Sequence, residues 1–405
     1  MRRAVSAVAC TLACVALAGG AACGDERGEA AEPSGSPERS TKPPPETAEV
    51  DETGTVMCTA EPPNVLVAPA PEVAAVAIVA TETGGLVLFA EGPDRLGVQP
   101  IDAQARPDGE LTHVAMPAAE GLFAARSVGG RFVALADGRC AEGPCLAARA
   151  FDASGRAVGD AVTVPLERAL LTRRVRATDR AVILARSHAE GPPLLDRFEL
   201  GDAGLTHLRT VLGQRHPPRD RRVELLGLAA EGERWAVAWR AGAVEARDSE
   251  LVVTTHASEM VLEPRSEPLL FESFEWHDDE LLAIAAFEMS RPRLLRFTPS
   301  AEAPARGARA TPIEVRASPP IPPTVADLPA PFESRRQAAL RVRDHRLELE
   351  VRSVAGDLVT EILVAAITAG VAADVTRVGE AFLVAYAGPE ANGRVVNASR
   401  VHCHD

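Results

Sequence analysis

The chain has 405 residues, a hydrophobic content of 46% and a formal net charge of −14 at pH 7. That length is enough for one large β domain or two medium ones. The acidic balance argues against a nucleic-acid partner and against adsorption to an anionic membrane surface, because both would be repelled.

The first 22 residues have the pattern of a bacterial secretory signal. Arg2 and Arg3 precede an uncharged stretch, 4–22, which closes on the small residues 20–22 directly before Cys23. A basic head, an apolar run and a small-residue exit are typical of a signal peptide that is removed. The residues 20–23 resemble the cleavage box of bacterial lipoproteins, in which the cysteine is acylated and becomes the first residue.

This resemblance implies that Cys23 carries lipid and holds the mature protein in a membrane of the cell envelope. Gly24, rather than Asp, follows the cysteine, which in lipoproteins implies delivery to the outer membrane. Gly20 stands where these signals usually carry Leu, so ordinary cleavage near Ala22 and a soluble exported form remain an alternative.

Residues 23–56 are predicted to be a disordered tether. From position 24 onward the segment has nine acidic and three basic residues, several prolines and almost no large apolar side chain. Such a composition cannot bury enough surface to offset the chain entropy lost on folding.

Four cysteines remain in the exported chain beyond the signal and Cys23, namely Cys58, Cys140, Cys145 and Cys403. An even number in an exported protein indicates disulfides, and four cysteines allow three pairings. Cys140 and Cys145 flank a predicted hairpin tip, and their pairing would leave Cys58 with Cys403 to join the two ends of the folded region. A zinc site would require thiols and imidazoles in closer clusters.

From 57 to 405, short apolar runs alternate with turns containing Gly, Asp and Pro, as is typical of β-strands. Seven similar runs recur about every fifty residues, beginning at Leu86, Phe132, Ala181, Trp235, Leu281, Gln337 and Phe382. Seven such units predict an all-β fold, a seven-bladed β-propeller over 57–405. The alternative is a pair of β-sandwiches, and the Pro-rich stretch 299–331 is interpreted as an excursion between blades. The repeats resemble those of uncharacterised bacterial lipoproteins with propeller-like heads.

No common catalytic or cofactor motif is present: HExxH, GxSxG, a Walker loop, a dinucleotide fingerprint and an EF-hand loop are all missing. We therefore predict no cofactor and no metal. The carboxylate-rich stretch 272–280 is interpreted as a solvated turn, and the His residues at 402 and 404 as flanks of a disulfide at Cys403.

A polar residue follows most of the recurring runs, and these positions are Glu91, Asp137, Arg186, Arg240, Glu288 and Asp344. Equivalent positions in a propeller face the same end of the ring, so the six form a candidate binding rim around one mouth of the axis. The runs themselves, taken as the inner strands, are apolar, which favours binding over catalysis.

The sequence thus predicts a lipid-anchored cell-envelope protein that acts as a binding or scaffold module without catalytic activity. Its expected contacts are a membrane, through the N-terminal lipid, and a protein of the envelope. The alternative function is a propeller hydrolase that acts on glycans or lactones through the axial mouth.

Overall fold

A computed structural model describes the chain from Met57 to His404, except for internal segments at 71–72, 168–169, 189–190, 214–222, 242–249, 257–258, 263–268, 278–279, 288–292, 300–310, 321–336, 353–357, 368–370 and 391–392. Cys23, the tether 23–56 and Glu288 therefore lie outside the described residues. The described part consists of strands β1 to β28 and one short 3₁₀ helix, Ala119–Gly121. It contains no helix long and apolar enough to span a bilayer.

The strands form seven blades, in which we name the strands A to D from the axis outwards. The chain enters through two short outer strands, β1 (Met57–Ala60) and β2 (Asn64–Ala70). The first three blades are β3 (Val76–Ala80), β4 (Gly84–Ala90), β5 (Arg95–Asp102) and β6 (Thr112–Ala115); β7 (Leu122–Val128), β8 (Arg131–Cys140), β9 (Gly143–Phe151) and β10 (Ala157–Pro165); and β11 (Leu170–Ala177), β12 (Ala181–His188), β13 (Leu194–Gly201) and β14 (Gly204–Val211).

The remaining blades follow in the same way. They are β15 (Val223–Glu231), β16 (Arg234–Ala241), β17 (Glu250–Thr255) and β18 (Glu259–Leu262); β19 (Leu269–His277), β20 (Glu280–Phe287), β21 (Arg293–Pro299) and β22 (Thr311–Pro320); β23 (Gln337–Arg343), β24 (Arg346–Arg352) and β25 (Leu358–Ala366); and β26 (Ala372–Val378), β27 (Ala381–Glu390) and β28 (Gly393–His404). The D strands of blades 4 and 5, β18 and β22, pair in parallel and join the two blades into one eight-stranded sheet.

The seven-bladed propeller predicted from the sequence is confirmed. The A strands of blades 1 to 5 contact one another in order, β23 of blade 6 contacts β26 of blade 7, and β26 contacts β3 of blade 1, which brings the first and last blades together. The A–B and C–D turns lie at one end of the ring, here called the bottom face. The B–C turns and the D–A connections lie at the other end, the top face.

The hydrophobic core is divided among the seams between blades. Separate clusters of buried side chains fill the seams 1/2, 2/3, 3/4, 4/5, 6/7 and 7/1 in the described part of the chain. A B strand lies between two seams and is buried on both sides, so every residue of β4 and of β12 is buried. Burial on both sides explains why these strands read as uninterrupted apolar runs.

Six of the seven recurring runs are B strands, but the run at Gln337 is the A strand of blade 6. The equivalent B strand is β24, in which apolar and charged residues alternate, as in Leu347-Glu348-Leu349. That alternation hid it from a search for apolar runs. Within the Pro-rich stretch 299–331, residues 311–320 form the D strand of blade 5 rather than an excursion.

Blade 7 is completed by the N-terminal strands, which fasten the ring. β1 and β2 both pair with the outer side of β28, and Cys58 stands directly opposite Cys403. The predicted disulfides Cys58–Cys403 and Cys140–Cys145 are both present. Cys140 is opposite Gly143 and Cys145 is opposite Gly138, so the second bridge runs diagonally across its hairpin.

Candidate functional site

Four of the six predicted rim residues lie at the top face. Glu91 directly follows β4, and the other three, Asp137, Arg186 and Arg240, lie within the last four residues of β8, β12 and β16. Asp344 lies in the A–B turn of blade 6, at the bottom face, because the run before it is an A strand. Its φ of 44° and that of His345, 64°, suit a tight two-residue hairpin turn.

Three of the top-face residues are paired with nearby charges. These pairs are Glu91 with Arg95 (2.9 Å), Asp137 with Arg173 (2.6 Å) and Arg240 with Glu224. Each pair stays within one blade or joins two neighbours. The structure therefore does not bring these three side chains together at one site.

Arg186 belongs to a buried polar cluster that spans strands B, C and D of blade 3. Its side chain is 1% exposed and donates from Nε to Oδ2 of Asp196, which is fully buried. The other oxygen of Asp196 accepts from Arg209 Nε at 3.0 Å and lies 2.7 Å from His207 Nε2. One carboxylate thus faces two guanidinium groups.

His188, which is also buried, adjoins this cluster. Its Nε2 lies 2.7 Å from Nη1 of Arg186. A guanidinium can only donate, so Nε2 is the acceptor in this contact.

The electrostatics of Asp196 reflect the strength of these contacts. Burial alone would raise the pKa of the Asp196 carboxyl. The hydrogen bond and charge of Arg186, together with hydrogen bonds from Arg209 and His207, outweigh burial and hold the pKa below its usual value. The carboxylate therefore stays ionised at neutral pH, and the two guanidinium groups leave an excess of positive charge.

A cleft of about 330 Å³ opens beside this cluster on the top face. Arg186, His188 and Arg209 line it. Leu194 and Val211 lie on the same face of blade 3 as these arginines and add apolar surface, as does Pro165, and the exposed Glu167 also lines the cleft. Pro165 comes from blade 2, where it is held opposite Cys145.

The axis is lined by A strands, and they are not the apolar runs. Our interpretation of the runs as inner strands was wrong for six of the seven, because those six occupy strand B. The A strand of blade 3 carries Arg173, Arg174 and Arg176, and Arg176 donates to the carbonyl of Leu228 in blade 4 at 3.2 Å. A second cavity, about 280 Å³, lies between the A strands of blades 3 to 5 and is lined by Arg174 and Arg176.

A partly buried carboxyl, Asp374, joins the A strands of blades 7 and 1. Its oxygens accept from the backbone N–H of Ile78 at 3.0 Å and of Val375 at 2.9 Å. Burial raises the pKa of Asp374, although these hydrogen bonds and the charge of Arg126 partly offset it.

We expect Asp374 to make folding less favourable as the pH rises. Because its pKa is higher in the folded chain than the usual 3.8, the folded state holds the proton more tightly between the two values. The stabilisation that Asp374 contributes is fully present below pH 3.8, its usual pKa, and is lost as the pH rises through the higher pKa of the folded state. Thermal unfolding across pH 4 to 8 should show this decline in the wild type and a flatter profile in Asp374→Asn. Equal slopes in the two proteins would contradict it.

The described residues contain no group of three or more His, Cys, Asp or Glu side chains placed to hold a metal ion. Of the stretch 272–280, residues up to 277 belong to the A strand of blade 5 rather than to a turn.

Comparisons with known proteins concern the fold. No protein-family model and no curated protein matches the chain. Among solved structures, the chain is similar to polysaccharide lyase Uly1, at 8% identity, covering 84% of this chain and 91% of that chain with a TM-score of 0.40. It is also similar to the β-propeller domain of the Trilobed protease from Pyrococcus furiosus, at 8% identity, covering 80% and 94% with a TM-score of 0.38.

A third similar structure is Trypanosoma rangeli sialidase in complex with the inhibitor DANA, at 11% identity with a TM-score of 0.34. The match covers 68% of this chain and 54% of the sialidase, so the chain spans little more than half of that enzyme's length. At these identities the likeness concerns the propeller architecture alone.

Proposed function

We propose that this protein is a binding protein of the bacterial cell envelope, held by a lipid on Cys23, which takes a small ligand in the cleft on blade 3. The observation that carries the proposal is the fully buried Asp196, shared by Arg186 and Arg209, beside an open cleft of about 330 Å³. Buried ion pairs contribute little net stability compared with apolar side chains of the same size. Convergent polar groups in a concave, partly apolar site are what ligand recognition requires.

The proposed location of the protein in the cell envelope is supported by the N-terminal sequence and by the cysteines. The uncharged stretch 4–22 and the small residues before Cys23 support export and acylation. The two disulfides are of the kind that persists in an oxidising compartment. A soluble exported form and an envelope protein as partner remain compatible with this proposal.

Acylation is tested by metabolic labelling with an alkyne-bearing fatty acid in a bacterial host. The full chain should incorporate the label and fractionate with membranes, whereas Cys23→Ser should incorporate none and appear in the soluble exported fraction. Intact mass of the mature N-terminus provides the independent readout. A wild-type protein that carries no label and begins after Ala22 would overturn the proposed lipid anchor. That result would not bear on the proposed binding cleft.

The cleft is tested with two variants of strand β14 that add the same charge to opposite faces. Val211 lines the cleft and is 38% exposed, while Leu208 is 53% exposed and lies on the other face of the strand. In a thermal-shift screen of small sugars, amino acids and organic acids, a genuine ligand should stabilise the wild type and Leu208→Glu but not Val211→Glu. A ligand that stabilises all three proteins equally would show that binding occurs elsewhere.

The second candidate function is a propeller hydrolase that uses the axis. The observation in its favour is Asp374, whose raised pKa would let it hold a proton nearer neutral pH than an ordinary carboxyl. Turnover of glycan or lactone substrates by the wild type, lost in Asp374→Asn, would favour this function over binding.

A further inference from the structure

We propose that the cleft on blade 3 binds a small organic monocarboxylate, recognised by Arg209 and packed against the apolar side chains that line the cleft. This inference rests on the proposed binding function and names the chemical class of its ligand. The cleft is distinct from the axial cavity, which lies between the A strands.

The charge of the cleft is the first reason. Asp196 is fully buried and Arg186 is 1% exposed, so the charged group of this cluster that an incoming molecule meets is Arg209. Arg209 binds Asp196 through Nε, has a side chain that is 32% exposed, and lines the cleft. Asp196 also restrains the Arg209 side chain, so little freedom is lost when it binds an anion.

The geometry of the donors is the second reason. A guanidinium offers parallel N–H groups that match the two oxygens of a carboxylate, and such charge-assisted pairs are about twice as strong as neutral hydrogen bonds. A neutral amide or alcohol offers no charge to pair with Arg209. The ligand is therefore expected to bind with its anionic group toward Arg209.

The apolar side chains and the carboxylate that line the cleft restrict the rest of the molecule. Pro165, Leu194 and Val211 provide an apolar surface that favours a hydrocarbon or aromatic body over a fully polar one. Glu167 places a negative charge in the lining, where it would repel a second acidic group. A single carboxylate on an apolar body fits both constraints.

The test uses benzoate and its neutral analogue benzamide as probes, titrated by calorimetry into the mature protein. We expect saturable binding of benzoate and at least tenfold weaker binding of benzamide. A tenfold difference in affinity corresponds to about 1.4 kcal/mol, which is less than one charge-assisted hydrogen bond contributes. Phthalate, which adds a second carboxylate, should bind more weakly than benzoate.

Three single-charge variants make the result specific to the cleft. Arg209→Gln should weaken benzoate at least tenfold, and Glu167→Gln should strengthen it severalfold. Arg180→Gln is the matched control, because Arg180 belongs to the same blade but lies in its A–B turn at the bottom face, with a 73% exposed side chain. It should bind benzoate as the wild type does.

Equal affinity for benzoate and benzamide, or an unchanged affinity in Arg209→Gln, would overturn the inference. So would the absence of benzoate binding up to about 10 mM, a concentration that would detect even weak recognition. If a neutral compound binds to the wild type but not to Val211→Glu, and benzoate does not bind, the proposed binding function stands. The proposal that the ligand is an anion is then wrong. If no compound binds at the cleft, both proposals fail.

Discussion

Replacing Cys58 and Cys403 together with serine is expected to lower the free energy of unfolding by several kcal/mol. The bridge spans 345 residues, and the loop-entropy relation gives an upper value of about 6 kcal/mol for a loop of that length. The bridge also holds the outer strand of blade 7 in register, so its loss should free the N-terminal strand first. Urea unfolding of the oxidised wild type and the double variant measures the difference.

The second disulfide supplies a matched control. Cys140 and Cys145 are only 5 residues apart, and the same relation gives about 2 kcal/mol for their bridge. Protease digestion should also cleave near Met57 faster in the variant without Cys58–Cys403. An equal loss of stability in the two double variants would show that closure of the ring does not depend on the long-range bridge.

Asp196→Asn is expected to destabilise the protein by about 3 to 5 kcal/mol, the usual effect of removing one partner from a buried ion pair. The substitution leaves the fully buried guanidinium of Arg186 without a countercharge. Thermal or urea unfolding measures this loss. Arg186→Met combined with Asp196→Leu should recover most of it, because apolar side chains of similar volume avoid the desolvation penalty.

Asp137→Asn is the control for that experiment. Asp137 pairs with Arg173 where both side chains are partly exposed, at 26% and 39%, and such pairs contribute less than about 1 kcal/mol. If Asp196→Asn loses no more stability than Asp137→Asn, the cluster on blade 3 is not held by its charges.

The propeller could be predicted because its B strands are the most deeply buried elements. A strand enclosed by seams on both sides favours apolar side chains along most of its length, and such runs stand out at regular intervals. Blade 6 escaped this search because β24 carries Glu348 and Glu350 between its apolar residues. Glu350 is buried and accepts from Arg341 Nε at 2.7 Å, a contact that only the folded sheet creates.

The candidate site was only partly accessible from the sequence. Arg186 could be singled out because it ends a recurring run. Asp196 lies ten residues later in another strand, and Arg209 lies one strand further, so their meeting depends on the register of β13 with its two neighbours. No local pattern marks Asp196, because a single carboxylate between Leu195 and Arg197 looks like any solvated strand position.

The axis was misjudged for a related reason. A strands have one edge without a sheet partner, and their polar side chains satisfy backbone groups of the next blade, as Asp374 does for Ile78. A search for apolar runs therefore finds the B strands and misses the A strands, which line the axis.

The pairing of β1 with β28 places both ends of the described chain at the bottom face, where Met57 stands opposite His404. The cleft opens at the top face, beyond the last residues of β12 and β14. A label joined directly at either of these ends of the described chain would therefore be attached at the face opposite the entrance of the cleft.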